Sequence, residues 1–563
     1  MAQSIPGLPR DRTTGGKGSV SADPGWAGVM IRLTARRATD ILCRHYLNGG
    51  EDEGPASRSM RASQPGSRSA SASEPSPLLR VLGLRDATML VVGSMVGSGI
   101  FIVSADIARQ VKSPGLLLLV WLVTAFMTVI AASYYGELAA AMPHSGGQYV
   151  YLRESFGLLC GFLYGWSMLL IIQTATIAAV AIAFAKFAGV LIPWFSSSSW
   201  IWKIGSLGPF TLWFGQLGPY TVGLNTQNLL AIVSIVALTW INFLGIRLGA
   251  FVQNLFTYTK MAALVGIVLL GVLFANPAVL RANREAFWGM PGLGSGSETE
   301  WMALITQIGV AMVGSLFAAD AWNNVTFVAG EVKNPERTLP RALALGTGLV
   351  MILYILINLA YLSVLPLAGS PDATTVIGRG IEYAAEDRVG TAAAEVVFGP
   401  TGAIVMAIAV MISTFGCNNG LILAGARVSY AMARDGVFFH QVGAVNRHRV
   451  PGVALLIQGA WASLLCLSGT YGQLLDFLIF TVLLFYMMTM VAVFRLRRRT
   501  GAHMSCYGLG FPLLPIIYLI LAGFVELQLL RYKPQYTWPG LIVVLLGIPI
   551  YYLWKRVARI PAP

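Results

Sequence analysis

Met89-Leu-Val-Val-Gly-Ser-Met-Val-Gly-Ser-Gly-Ile-Phe101 lies in an apolar run long enough to cross a bilayer, yet its middle is Gly97-Ser98-Gly99. Glycine weakens a helix by about 1 kcal/mol against alanine. In hydrocarbon each freed backbone N–H and C=O must also find a partner. A break is tolerated where the backbone lines a protein-enclosed cavity and a ligand satisfies the freed groups. The half-helix beginning near Ile100 then offers N–H donors and a positive dipole end to an anion. A transporter site built on an interrupted helix has this pattern. A small-residue packing face is the other reading, and Gly93 and Gly97 have its spacing.

The rest of the composition favours the first reading. The chain has 563 residues, of which 56% are apolar and 11% charged. Its mean hydropathy is +0.67. Repeated apolar runs of about 20 residues call for an all-α polytopic membrane protein. The net charge of +14 does not point to nucleic acid, because much of it sits at the ends of apolar runs. The five cysteines are scattered, with no CxxC or Cys/His metal spacing, so neither a metal centre nor a disulfide framework is expected. No nucleotide loop or nucleophile elbow appears, so the sequence reads as neither an enzyme nor a cofactor binder.

Residues 1–79 form a Gly-, Ser-, Arg- and Pro-rich tail that reads as disordered, followed by a membrane domain over 80–560. Trp26 to Leu47 has amphipathic character suited to a membrane surface, and Met60 offers an alternative start of translation. Twelve spans are expected: 86–109 (broken), 115–141, 156–190, 227–246, 249–274, 302–331 (broken), 340–366, 399–432, 452–468, 474–494, 511–530 and 537–555. An even number puts both termini on one side. The segments on that side carry Arg80, Arg85, Arg153, Arg247, Arg341, Arg434 and the Arg495–Arg499 cluster, which favours the cytoplasm. The segments 191–226, 275–301 and 367–398 are then long external loops, with Trp200, Trp202, Trp213 and Tyr220 suited to an interface belt.

The sixth span contains Val313-Gly-Ser-Leu-Phe-Ala-Ala-Asp-Ala-Trp-Asn-Asn324. Asp320, Asn323 and Asn324 are costly against lipid and bond readily to local backbone, which favours a second interruption. Breaks in spans one and six, five spans apart, point to an inverted repeat of five plus five helices with a midplane site. Lys260 stands well inside span five, about three helical turns from its expected start at 3.6 residues per turn. Its ammonium must face the bundle and find acceptors, and hydroxyls of the Ser413-Thr414 patch in span eight are candidates. Snorkelling to the interface is the alternative for Lys260. A protonation role for it also stays open. Glu331 is placed at the inner surface, as an ion-paired gate or in a solvated loop.

Val96-Gly-Ser-Gly-Ile-Phe101, Tyr135-Gly-Glu-Leu138, Ser145-Gly-Gly-Gln-Tyr149 and Glu331-Val-Lys-Asn-Pro335 resemble the amino acid–polyamine–organocation (APC) superfamily. Lys260, Phe317 with Trp322, Phe415-Gly-Cys-Asn-Asn-Gly420 and Gly547-Ile-Pro-Ile-Tyr551 make the chain look most like its L-type amino acid transporter group. The resemblance covers about 86–556 and implies alternating access over five-plus-five helices with two more at the end. It implies that Gly97, Ser98 and Gly99 bind a substrate carboxylate. Carbonyls near Val96 and those of Phe317 and Ala318 would take the ammonium. Phe317 would gate the site, Asn323 would face it, and Lys260 would replace the sodium ion of related carriers. The expected activity is sodium-independent exchange of neutral or broad-range L-amino acids.

Two alternatives use the same site. Proton-coupled symport would titrate Lys260 or Asp320. An Asp320 carboxylate facing the cavity would suit cationic amino acids or polyamines. A non-transporting nutrient sensor is the reading from another class. Ala319 and Ala321 depart from the family, whose members often carry Tyr or Gly at the first and Gly at the second. The loop over 191–226 lacks the Cys that links mammalian members to a heavy chain, so no disulfide-linked partner is expected. The implied setting is a cell membrane, multi-pass, with both termini cytoplasmic.

Overall fold

The computed structural model describes residues 78–557, except 209, 213–214, 218–219, 290–297, 468–470, 501–507 and 509. The readings of the tail, of Trp26 to Leu47 and of Met60 lie outside the described residues. Among those described, ten helices are long and apolar enough to cross a membrane. Two shorter apolar helices, Met302–Ala318 and Gly452–Leu465, fill the sixth and ninth places. The result is a polytopic all-α bundle whose spans follow the hydropathy pattern.

Both expected breaks are present. Span one consists of Leu84–Met95 and Gly99–Val111. Val96 leaves the helical region at ψ 87°, and Ser98 caps the second half. Span six runs as Glu298–Ala318, stops, and resumes as the single turn Asn324–Phe327. Ala321, inside this break, has φ 65°, a left-handed conformation that suits glycine better than alanine. The two spans run in opposite directions. Residues Val81 and Leu82, which lead into span one, donate their amides to the carbonyl of Glu331 at the end of span six, at 2.9 and 3.0 Å. Lys333 N returns a bond to Leu82 O at 2.8 Å, which makes a short parallel bridge.

The interrupted spans are central. In span one, 89% of the most apolar window is buried, against 28% in span five. The outward side of span five shows Phe251, Val272 and Leu273 largely exposed, as expected of a face turned to lipid. Span three, Leu158–Leu191, contains a π-helical turn at Met168–Ile172. Such turns relax the helical ladder and recur at functional sites.

The segment after span three is not an irregular loop. Strands β1 (Trp200–Leu207) and β4 (Tyr220–Asn225) pair antiparallel, and β2 (Phe210–Leu212) pairs with β3 (Gly215–Leu217) at the tip. Aromatic and β-branched residues between Gly- and Pro-containing turns favour this hairpin. Its foot is fixed by Thr226 N donating to Ser199 O at 2.9 Å. Trp200 and Trp202 are exposed on it, while Trp213 lies outside the described residues. The hairpin marks one end of the bundle. The opposite end, rich in arginine, is called the basic end below.

Candidate functional site

The breaks of spans one and six pack against each other at the centre of the bundle. A Cβ placed on Gly99 would stand 2.7 Å from Ala318 Cα and 2.5 Å from its Cβ, so only glycine permits this approach. The Tyr354 hydroxyl, from span seven (Pro335–Val364), lies 3.0 Å from Met95 O and 3.2 Å from Ala318 O, touching both breaks. The second half of span one begins at Gly99, one residue before the expected start. Its first N–H groups have no acceptor within the helix, as at any helix N-terminus.

Lys260 is 1% exposed, and its ammonium donates to Gly93 O at 2.8 Å, Val96 O at 2.9 Å and Ser413 O at 3.1 Å. Three donors meet three carbonyls, so the charge is fully hydrogen-bonded. Gly93 and Val96 end the first half of span one, where carbonyls converge and the helix dipole is negative. The expectation of hydroxyl acceptors is corrected here. The Ser413 hydroxyl donates to Val96 O and Gly97 O at 3.1 and 3.3 Å. The Thr414 hydroxyl turns back on its own helix, to Val410 O and Met411 O. A hydroxyl on a helix readily bonds the preceding turn, so its presence in the sequence does not say where it points. Snorkelling of Lys260 is also not what the structure has.

The carbonyls expected to receive an ammonium are engaged. Val96 O accepts from both Lys260 and Ser413, which uses both its lone pairs. Phe317 O accepts from Asp320 N at 3.1 Å and Ala318 O from the Tyr354 hydroxyl at 3.2 Å.

Asp320 is held by the Tyr486 hydroxyl at 2.5 Å, from span ten. Trp322 packs edge-on to Tyr135 at 4.7 Å and tilted on Tyr486 at 5.4 Å, forming an aromatic wall beside the carboxylate. Asn323 donates to Gln148 Oε1 at 3.1 Å, and Gln148 in turn donates to Thr489 Oγ1 and Phe485 O. Two cavities flank Asp320, of about 20 and 10 Å³. Each has room for about one water. Phe317 is buried at 8% exposure. The region between the breaks is therefore closed, and a larger ligand enters only when the bundle rearranges.

Two ion pairs lie at the basic end, one buried on both sides and one with its arginine partly exposed. Arg427, from span eight, donates to Glu331 through Nε at 3.2 Å and Nη2 at 3.0 Å, with both side chains at 1% exposure or less. This corrects the solvated-loop reading of Glu331. Arg497 grips Glu137 at 2.7 and 2.5 Å. Sequence reasoning missed Arg427, although a lone arginine inside an apolar span is itself a signal. It also missed Tyr354 and Tyr486, for which there was no signal, since tyrosine in a span reads as packing or interface.

Comparisons with known proteins place the chain in a family. Residues 82–550 match the family model described as amino acid permease. The chain is 28% identical over 487 residues to the serine/threonine exchanger SteT of Bacillus subtilis, covering 86% of this chain and 98% of the relative. It is 31% identical to the human large neutral amino acids transporter small subunit 2, over 84% of this chain and 80% of the relative. It is 29% identical to the human Asc-type amino acid transporter 1, over 86% and 83%.

Proposed function

Because the chain belongs to the amino acid permease family, we propose that it carries neutral or broadly chosen L-amino acids by sodium-independent exchange, through alternating access. The observation that carries this reading is Lys260. Interrupted-helix carriers use unwound carbonyls and half-helix C-terminal ends to hold a coupling cation. Here those carbonyls, Gly93 O and Val96 O, are held by a covalently tethered ammonium. A cation that never leaves needs no ion gradient, so substrate on one side is exchanged for substrate on the other.

In this reading Gly97, Ser98 and Gly99 receive the carboxylate at the N-terminus of the second half-helix. The ammonium lies at the carbonyls of Phe317 and Ala318, where span six breaks off. Phe317 closes over the bound molecule, and Asp320 and Asn323 border its side chain. The Glu331–Arg427 pair gates the basic end, which we place in the cytoplasm with both termini. Segment 191–226 contains no cysteine, which supports a carrier without a disulfide-linked subunit.

The test is uptake of labelled L-threonine and L-leucine into proteoliposomes, with and without unlabelled internal amino acid, a sodium gradient and a proton gradient. Uptake that requires internal substrate and ignores both gradients is expected. Uptake into empty vesicles driven by a gradient would replace exchange with symport. Absence of flux with any amino acid would remove the transport reading.

A further inference from the structure

The roomiest cavity described is separate from the two beside Asp320 and lies at the hairpin end. It measures about 380 Å³, within the range of about 300–1,000 Å³ that small-molecule sites occupy. Val190 at the end of span three, Val376 and Arg379 of the short helix Val376–Arg379, and Arg388, Thr391 and Glu395 line it. The last three belong to the arm that precedes the kink at Gly399, where φ is 64°. On this arm residues 388, 391 and 395 follow the i, i+3, i+7 spacing of one helix face.

The chemistry of this lining is two-signed. The arm begins at Val389, with Arg388 as its N-cap and no side chain capping the first turn. The first N–H groups of a helix attract an anion, and Arg388 and Arg379 add guanidinium donors beside them. Arg388 is partly engaged by Glu386 at 3.0 Å and Arg379 through its Nε by Ala373 O at 2.8 Å, so both keep further N–H groups. Thr391 is 8% exposed, and its hydroxyl is buried without a hydrogen-bond partner. Glu395 has no ion pair among the described residues. Helical side chains lean toward the N-terminus, which carries the Glu395 carboxylate over Thr391. Two guanidinium groups and an unpaired carboxylate thus face one cavity, with an orphan hydroxyl buried in the wall between them.

We propose that this cavity is a second binding site, for the zwitterion of a free α-amino acid. The carboxylate sits at Arg388 and Arg379, and the ammonium at Glu395. The identity of the ligand rests on the reading of the chain as an amino acid carrier. The headgroup of phosphatidylethanolamine has the same two-signed chemistry, and the test separates the two.

Equilibrium binding of labelled L-threonine and L-leucine to the purified full-length protein in detergent measures the number of sites. Two equivalents per chain are expected for the wild type. Glu395→Gln, which removes no ion pair and so leaves the fold intact, is expected to bind one. Arg388→Gln is expected to behave the same way, with an unchanged melting temperature as the folding control. One equivalent in the wild type, unchanged by Glu395→Gln, would overturn the second site and leave the transport reading standing. No binding of either probe would overturn both. Phosphatidylethanolamine that co-purifies with the wild type and is lost in Glu395→Gln, with amino acid stoichiometry unaltered, would assign the cavity to lipid and overturn the amino acid assignment.

Discussion

Lys260 and Ala321 are the two residues whose local chemistry has the sharpest consequences. Replacing Lys260 by Ala removes the donor shared by Gly93 O, Val96 O and Ser413 O, and leaves Val96 O only the Ser413 hydroxyl. Hydrogen bonds to a charged group contribute about 1.5–3 kcal/mol each. Losing even one of them lowers occupancy of the closed arrangement about tenfold or more. Sodium-free exchange by Lys260→Ala should therefore fall at least tenfold, with partial recovery when sodium or another small cation is supplied. Unchanged sodium-free exchange would remove Lys260 from the coupling role. Ala321 holds a left-handed backbone at φ 65°. A non-glycine residue there costs about 1–2 kcal/mol, so Ala321→Gly should raise the melting temperature in detergent. A lower melting temperature would mean that the alanine methyl contributes more to packing than the backbone conformation costs.

At the scale of elements, the broken helices and the pairs that fasten them set the cost of opening. Glu331 and Arg427 are buried together. Removing one partner strands a charge, at about 3–5 kcal/mol, whereas replacing both by apolar residues of similar volume costs little or stabilises. Glu331→Leu and Arg427→Met should each lower thermal stability strongly, and the double variant Glu331→Leu with Arg427→Met should recover most of the loss. Additive losses in this cycle would show that the two side chains do not act as a pair. The positions of both breaks were legible in the sequence, because Gly97-Ser-Gly99 and Asp320 to Asn324 are costly in a continuous lipid-facing helix. The acceptors of Lys260 were not legible, because they are backbone carbonyls and every residue has one. The hairpin over 200–225 was read as loop, because its alternation is interrupted by register shifts between Trp200 and Trp202 and between Lys203 and Gly205.

For the whole molecule, the asymmetry of charge gives an orientation that can be measured. The basic end carries Arg153, Arg434 and Arg495 to Arg499, and the hairpin end carries Lys203 on an exposed strand. With the basic end in the cytoplasm, a cysteine at Lys203 should react with a membrane-impermeant thiol reagent added to intact cells, and one at Arg434 only after permeabilisation. The reverse pattern would invert the topology. The short parallel bridge between Leu82 and Val332 adds a constraint that helix counting misses. Glu331 O holds two amides of the strand-like lead into span one, and Leu82 O holds Lys333. The foot of span one and the foot of span six are therefore stitched into a single leaf of one door. In the proposed reading the Glu331–Arg427 pair is the latch at the edge of that leaf, and the basic end opens in one swing.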